Sequence, residues 1–176
     1  MEKRIETPIT REAARALKSG DAVLLSGVIY TARDAAHKRI AEALRAGASL
    51  PFDLNSAFIY YAGPTPAKNT AVGACGPTTS SRMDPYAPDF YARGLAATIG
   101  KGDRSPAVYA AVQKYGGLYL CAIGGAGALA SMAIRACEVI AYEDLGCESV
   151  KRMEIEQFPL FVGIDTTGQS IFHPKP

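Results

Sequence analysis

The chain has 176 residues, enough for one domain with a real hydrophobic core. With 48% hydrophobic and 20% charged residues, its composition is that of a globular protein and excludes an intrinsically disordered one. Nineteen basic and seventeen acidic residues give a formal charge of +2, which argues against nucleic-acid binding and against attachment to a membrane surface. The sequence shows neither the apolar length of a membrane span nor the apolar core of a signal peptide, so we expect a cytoplasmic protein.

Turn residues and hydrophobic periodicity predict strands and helices in alternation. In chain order, the predicted elements are a strand over 5–9, a helix over 10–19, a strand over 22–29, a helix that Thr31 caps and Gly47 ends, strands over 54–61 and 71–75, a helix over 88–92, a strand over 95–99, a helix over 105–115, a strand over 118–123, a helix over 128–142, and strands over 150–156, 159–164 and 170–172. This order predicts a single layered α/β domain over residues 1–176, with a mostly parallel central sheet and a more antiparallel C-terminal segment.

The four cysteines are spaced too widely for a metal or cluster site of their own. Cys75, Cys121, Cys137 and Cys147 form no Cys-x-x-Cys pair, and in a reducing compartment we expect four free thiols. Cys75 precedes a Gly-Pro turn and is a candidate to line a site, although a packing role is the stronger interpretation. We therefore expect this chain to supply no metal ligand.

Arg33 comes directly after a predicted strand, in the first turn of the helix that Thr31 is expected to cap. Free N–H groups and the helix dipole favour an anion at that end, so a cation there suggests a carboxylate or phosphate ligand. The alternative is a surface arginine paired with Asp34 or Glu42. His37 lies one turn later on the same face, where it is expected to orient a neighbour rather than to exchange protons.

Two further segments combine cations with flexible or hydroxyl-bearing residues. The stretch 76–84 reads Gly-Pro-Thr-Thr-Ser-Ser-Arg-Met-Asp, and one helical turn would place Arg82 beside Thr78. The stretch 100–102 presents Lys101 between two glycines after a strand, which allows a ligand to approach the backbone closely. The alternatives are a Ser/Thr helix cap with a solvated Arg82, and a plain turn with an exposed Lys101.

The stretch 125–130 reads Gly-Ala-Gly-Ala-Leu-Ala and imitates a dinucleotide-binding fingerprint. It follows a predicted strand, opens a predicted helix and precedes the acidic Glu143 by eighteen residues. Only about fifty residues follow it, however, and Glu143 falls near a helix end. Tight packing of helix on sheet explains the glycines equally well.

Taken together and in this order, the stretches 31–37, 76–84 and 99–102 resemble the beta subunits of class I, iron–sulfur-dependent fumarate hydratases and of L(+)-tartrate dehydratase. Residues 124–126, 141–146 and 158–159 are also similar to that family, so the resemblance spans nearly the whole chain. It implies a swivelling β/β/α domain. It also implies an alpha subunit as a partner, which carries a [4Fe–4S] cluster on three cysteines and which we expect to be a separate polypeptide in a dimer of heterodimers.

The resemblance also assigns roles to particular residues. Arg33, Arg82 and Lys101 match the family's ligands for the substrate carboxylates. Thr78 matches its proposed catalytic base, while Asp34, His37 and Thr79 stand beside these residues as expected supports. The implied reaction is the reversible hydration of fumarate to (S)-malate. Because a threonine hydroxyl is a weak base, a proton relay or a positioning role for Thr78 stays open.

Three alternatives to a fumarate hydratase subunit follow from the same residues. The cationic motifs fit L(+)-tartrate, which would give oxaloacetate, as well as they fit malate. The glycines of 125–130 allow a nucleotide-binding oxidoreductase domain. A third reading is a regulatory module that binds small dicarboxylates without catalysis.

Overall fold

The computed structural model describes residues 2–67, 69–123 and 127–173. The strands are β1 (Lys3–Glu6), β2 (Ala22–Thr31), β3 (Phe58–Tyr60), β4 (Ala97–Gly100), β5 (Leu118–Cys121), β6 (Ile134–Ala141) and β7 (Val150–Ile164). The helices are α1 (Arg11–Ala16), α2 (Asp34–Ala46), α3 (Ala87–Ala92), α4 (Pro106–Tyr115) and α5 (Gly127–Met132), with short 3₁₀ helices at Ser80–Met83 and Glu143–Glu148. In these ranges, no helix combines the length and the apolar character that crossing a bilayer requires.

One mixed sheet organises these elements. Strands β1 to β5 lie side by side in chain order, and each neighbouring pair is parallel. The long strand β7 then pairs antiparallel with both β5 and β2, which closes β2, β3, β4, β5 and β7 into a barrel. β6 continues along the β5 side of β7, also antiparallel. The α/β class and the antiparallel C-terminal segment are confirmed, but the sheet is mixed rather than mostly parallel.

Apolar side chains fill both faces of this barrel. Inside, Phe58, Leu120 and Val162 belong to a cluster of buried residues contributed by all five barrel strands. Outside, a second cluster packs the helices α2, α3 and α4 against the outward side chains of the sheet; it includes Ile40 of α2 and Phe90 of α3. Side chains alternate between the two faces of a strand. The inner cluster therefore buries one face of each central strand and the outer cluster buries the other. The helices therefore cover one side of the barrel and leave its strand ends open.

Four predictions of secondary structure differ from the structure. The predicted helix over 128–142 is wrong, since it ends at Met132 and residues 134–141 form β6, whose backbone pairs with β7. The predicted strand over 71–75 is absent, and the strands predicted over 150–156 and 159–164 are one continuous strand. The strand predicted over 170–172 is only an isolated bridge between Ser170 and Ile164. Pairing between distant strands explains the first and third differences, because β6 pairs with β7 and β7 pairs along most of its length with β2. Local sequence patterns do not indicate such pairing.

Candidate functional site

The predicted site residues lie at the carboxyl ends of neighbouring parallel strands. Arg33 follows β2, and Lys101 comes directly after the last residue of β4. Thr78 is held just beyond β3, because its backbone N–H donates to the carbonyl of Tyr61 at 2.7 Å. In sheets of this kind, the loops at the carboxyl ends of parallel strands are where ligands bind. The barrel thus brings segments distant in sequence to one edge.

Arg33 is the N-cap residue of α2, one position before the helix begins. The expectation that Thr31 caps the helix is wrong: Thr31 is the last residue of β2 and pairs with Lys151 of β7. The Thr31 hydroxyl accepts from the backbone N–H of Lys151 at 3.2 Å. The cation is therefore held at the junction of strand and helix, where the first backbone N–H groups of α2 have no acceptor within the helix.

His37 supports Arg33 from one turn further along. Its backbone N–H donates to the Arg33 carbonyl at 2.8 Å, and its ring Nδ1 lies 2.9 Å from the same oxygen, a distance at which a protonated Nδ1 donates. The ring is fully buried against Tyr61, Tyr86 and Phe90. Burial lowers the pKa of His37 to about 4, so the imidazole is neutral at physiological pH. This is the geometry of a residue that orients the Arg33 backbone.

Glu148 also contacts Arg33, a contact that the sequence did not indicate. Its Oε1 lies 3.3 Å from Arg33 Nη2, and its Oε2 accepts from the backbone N–H of Ala35 at 3.3 Å. A carboxylate at a helix N-terminus is favoured by the helix dipole. Glu148 therefore caps α2 and fixes the Arg33 guanidinium at the same time. Gly63 gives room for this arrangement, because a Cβ there would lie 3.2 Å from Arg33 Nη1.

The segment that carries Glu148 is itself tied down. Lys151 is buried, and its ammonium donates to the carbonyls of Cys147 and Ser149 at 3.0 and 3.2 Å and to the Ser149 hydroxyl at 2.7 Å. Burial lowers the pKa of Lys151. On the other side, Arg39 of α2 forms a two-point ion pair with Asp144, with one contact at 2.8 Å. Residues 144–149 thus form a clamp on the start of α2.

Arg82 joins two of the predicted residues by direct contact. Its guanidinium donates to both carboxylate oxygens of Asp34, Nε to Oδ1 at 2.9 Å and Nη2 to Oδ2 at 2.8 Å. Its Nη1 lies 3.4 Å from Thr78 Oγ1. Arg82 belongs to the 3₁₀ helix Ser80–Met83 rather than to an α-helix. Its side chain is ion-paired with Asp34 rather than only solvated. A guanidinium donor next to a hydroxyl favours negative charge on that oxygen.

Lys101 enters the same edge through backbone pairing. Thr79 and Lys101 form an isolated parallel bridge, and the backbone N–H of Ser80 donates to the Lys101 carbonyl at 2.9 Å. Gly100 makes this close approach feasible, because a Cβ there would overlap Ser80 Oγ. The Thr79 and Lys101 side chains are both exposed. The structure therefore brings all seven predicted residues to the segments that follow β2, β3 and β4, with Asp34 and His37 in the first turns of α2.

A buried arginine that the sequence did not single out supports these loops from below. Arg104 Nε donates to Asp84 Oδ1 at 2.7 Å, and its Nη1 donates to the Thr98 hydroxyl at 2.9 Å. Its guanidinium also lies 4.7 Å from the ring centroid of Tyr119. The second Asp84 oxygen accepts from the backbone N–H of Ser105. Asp84 ends the stretch 76–84, so this pair ties the Thr78 loop to the Lys101 loop.

The described residues offer no set of side chains suited to a metal or an iron–sulfur cluster. In ranges 2–67, 69–123 and 127–173, no three His, Cys, Asp or Glu side chains lie close enough to hold an ion. All four cysteines are free thiols. Cys75 is completely buried, and burial raises the pKa of its thiol to about 12, so it packs in the barrel interior and does not line the edge.

The dinucleotide fingerprint has no supporting topology in the part of the chain that the structure covers. Residues 124–126 lie outside the described ranges. The helix α5 that follows has six residues, and β6 after it runs antiparallel to β7 rather than parallel to β5. A dinucleotide site needs two parallel strands joined by a crossover helix. Glu143 lies in the 3₁₀ helix Glu143–Glu148.

Comparison with known proteins gives one family and several relatives. A family model described as "Fumarase C-terminus" matches residues 2–175. A protein of Methanocaldococcus jannaschii, named by inference as L(+)-tartrate dehydratase subunit beta, is 39% identical over 171 residues, which cover 93% of this chain and 88% of that protein. Fumarate hydratase 1 (mitochondrial) of Leishmania major is 44% identical over 151 residues, 84% of this chain and 28% of the enzyme. The anaerobic class I fumarate hydratase of Escherichia coli is 41% identical over 152 residues, which again cover 84% of this chain and 28% of the enzyme.

Proposed function

We propose that this chain, which belongs to the fumarase C-terminus family, acts as the beta subunit of a hydro-lyase that reversibly hydrates fumarate to (S)-malate. One observation carries the proposal: Arg33, Arg82 and Lys101 follow three neighbouring strand ends, with Thr78 in contact with Arg82. The relatives reported above are named as hydratases or as a dehydratase subunit. Since this chain spans only 28% of the fumarate hydratases, the activity of the whole enzyme is inferred.

The donors left free on the three cations suit a substrate with two carboxylates. Asp34 occupies Nε and one N–H of Nη2 on Arg82, and Thr78 Oγ1 accepts from Nη1. One N–H on each terminal nitrogen is left for a ligand. Within the described ranges, the Lys101 ammonium contacts no carboxylate. Arginine offers paired donors that match a carboxylate, while lysine offers a point charge. We assign Arg33, Arg82 and Lys101 to the two carboxylates of the substrate.

In the proposed reaction, Thr78 handles the proton at the carbon next to a carboxylate. In the dehydration direction its deprotonated oxygen would accept that proton while the bond from the neighbouring carbon to its hydroxyl breaks and hydroxide leaves. Arg82 Nη1 would stabilise the negative charge on the Thr78 oxygen before the transfer. The three cations would also offset the negative charge of the substrate carboxylates, and this would make the same proton easier to remove. The other three predicted residues act through neighbouring site residues. Asp34 orients Arg82, His37 orients the Arg33 backbone, and Thr79 orients the Lys101 loop.

The open edge leads us to propose a partner. The Arg82 side chain is 49% exposed, and water at that edge would screen the charges on which the chemistry depends. We infer that an alpha subunit covers the edge and holds the [4Fe–4S] cluster, in a dimer of heterodimers. The word "subunit" in the archaeal relative's name supports a partner. The Lewis-acid chemistry of the cluster would come from that subunit.

The same scaffold supports a second candidate reaction, the dehydration of L(+)-tartrate to oxaloacetate. The archaeal relative favours this reaction, because it is named as a tartrate dehydratase subunit and this chain covers 88% of its length. Cations that bind two carboxylates do not distinguish a hydroxyl from a hydrogen at the neighbouring carbon. Kinetic comparison of malate with L(+)-tartrate in the reconstituted complex decides between the two reactions.

The test of the proposed function is anaerobic co-expression with the candidate alpha chain, followed by a hydratase assay. We expect activity that Arg82→Ala and Lys101→Ala each lower by at least about a hundredfold, the usual scale for losing one preorganised electrostatic contact. The control is Lys38→Ala, an exposed lysine on α2. Wild-type activity in both site variants would contradict the assigned roles. Tight binding of malate or fumarate by this chain alone, with no turnover in the complex, would instead indicate a regulatory module.

We extend the proposal to the architecture and the compartment. Residues 1–176 would form a single domain of the swivelling β/β/α type, which is supported by the closed barrel with α2, α3 and α4 packed on its outer face. A cytoplasmic location is supported by the four free thiols.

A further inference from the structure

A second concave surface lies away from the candidate site. It has a volume of about 490 Å³ and is lined by four cationic side chains, Arg11, Arg15, Lys18 and Lys114, together with residues 113, 115, 116, 166 and 167. We call it the basic pocket. Its walls come from α1 and the turn after it, from the end of α4, and from the turn that follows β7. No Asp or Glu is among these lining residues.

The four cations of the basic pocket lack carboxylate partners. In the described ranges, none of them has an Asp or Glu oxygen within 4.0 Å, whereas Arg39, Arg135 and Arg152 elsewhere on the surface all do. The Lys114 ammonium instead lies 5.2 Å from the centroid of the Tyr115 ring. A chain with a formal charge of only +2 has collected four cations around one cavity.

Two acidic side chains in the turns that adjoin the pocket are engaged elsewhere. Asp165, directly before the two threonines of the pocket, accepts from the backbone N–H groups of Ser19 and Thr167 and from the Thr167 hydroxyl. Asp21 accepts from Lys3 and from the backbone N–H of Lys18. Both carboxylates therefore serve the turns beneath the pocket, and neither forms an ion pair with a pocket cation in the part of the chain that the structure covers.

The basic pocket is at the opposite end of the barrel from the candidate site. The helix α4 begins at Pro106, just after the Lys101 loop, and ends at Tyr115 beside the pocket. At about 1.5 Å per residue, its ten residues separate the two ends by about 15 Å. Lys18 precedes the first residue of β2 and Gly116 precedes that of β5, so the pocket lies at the amino ends of the parallel strands.

We propose that the basic pocket binds a small polyanion that carries two or more phosphate or carboxylate groups. Like charges held together around a cavity repel one another, and an anion that bridges them removes that repulsion. The hydroxyl of Thr166, another lining residue, offers a further donor to such an anion. The volume is that of a small-molecule site rather than of a single-ion site. Its concave form favours a compact anion over the surface of an acidic protein. This site is independent of the proposed function.

The test measures binding of inorganic pyrophosphate and of citrate to the 176-residue chain by calorimetry, with sodium chloride added to keep the ionic strength constant. These two probes separate phosphate from carboxylate ligands. The double variant Arg15→Gln/Lys18→Gln removes two pocket cations. The matched control, Arg4→Gln/Lys38→Gln, removes the same charge from exposed sites on β1 and α2. Circular dichroism verifies that both variants fold.

We expect at least one probe to bind at one site per chain, with its Kd raised about tenfold or more in the pocket variant and less than about twofold in the control, the scale of losing charged hydrogen bonds. Equal weakening in both variants would show that only net charge matters and would overturn the site. So would the absence of binding by either probe. Citrate binding that Arg82→Ala abolishes and the pocket variant leaves intact would place the anion at the candidate site instead.

Discussion

Arg82 and Asp34 form a two-point ion pair across 48 residues of sequence, with N–O distances of 2.9 and 2.8 Å. The pair joins the 3₁₀ helix after β3 to the first turn of α2 and leaves Arg82 Nη1 next to Thr78 Oγ1. Because a two-point contact fixes the plane of the guanidinium, the direction of the free Nη1 depends on Asp34. Asp34 is thereby a positioning residue for the proposed chemistry.

Replacing Asp34 tests this relationship. Asp34→Asn keeps the size of the side chain but leaves one oxygen to accept where there were two, so Arg82 loses its fixed plane. We expect kcat/KM of the reconstituted complex to fall about tenfold, from the loss of one charged hydrogen bond. The control is Asp89→Asn, which removes the exposed Asp89–Arg93 pair. An unchanged kcat/KM in Asp34→Asn would show that Arg82 is oriented without it.

Glu148 is expected to act on Arg33 in a similar way. Glu148→Ala removes both the contact to the guanidinium and the cap on Ala35 N–H, so KM for the dicarboxylate should rise about tenfold. Glu148→Gln keeps one accepting oxygen and should restore part of the loss. Asp144→Ala is the matched control, because it releases Arg39 from the same clamp without touching Arg33. A rise in KM of equal size in Asp144→Ala would mean that the clamp as a whole matters and that Glu148 has no role of its own.

The Arg104–Asp84 pair predicts a large effect on stability. Both side chains are buried, so Arg104→Met leaves a carboxylate without its partner and should lower the free energy of unfolding by about 3–5 kcal/mol. Urea denaturation measures this loss. The double variant Arg104→Met/Asp84→Leu should recover part of it, because no charge is then left buried. Arg93→Met, at an exposed pair, should cost less than about 1 kcal/mol. Equal losses in the two arginine variants would contradict a structural role for the buried pair.

His37 predicts how stability depends on pH. Burial holds its pKa at about 4 in the folded chain, against 6.5 for an exposed imidazole. The unfolded state therefore binds the proton more readily, so stability is full above about pH 6.5 and is lost as the pH falls towards 4. The loss from this one group approaches roughly 3 kcal/mol at the acidic end.

The measurement for His37 is urea denaturation at pH 7 and at pH 5. His37→Asn retains a donor near the Arg33 carbonyl and should lose most of the difference between the two pH values, although its stability at pH 7 is also lower. His173→Asn is the control, since that ring is 69% exposed and pairs with Asp103 at the surface. A difference that persists unchanged in His37→Asn would assign the pH dependence to other groups.

Local signals in the sequence predicted helices α1 to α4 and most of the parallel strands. Gly47 and Gly116 end α2 and α4 in the left-handed conformation that glycine favours, and Pro106 opens α4 at its first position. The motifs 31–37, 76–84 and 99–102 supplied the predicted site residues, and the alternation of strand and helix predicted the α/β class. All of this information is carried by neighbours a few residues apart, which is the range over which caps and periodicity act.

Only the tertiary structure decided how the barrel closes and what holds the site in place. β6 reads as helix by itself and becomes a strand because β7 offers it a partner. Glu148 reaches the start of α2 across 113 residues, and Arg104 meets Asp84 in the buried space between two loops. Such contacts depend on burial and on the distance between segments after folding. A charged residue looks the same in the sequence whether folding will leave it in water or enclose it beside its partner.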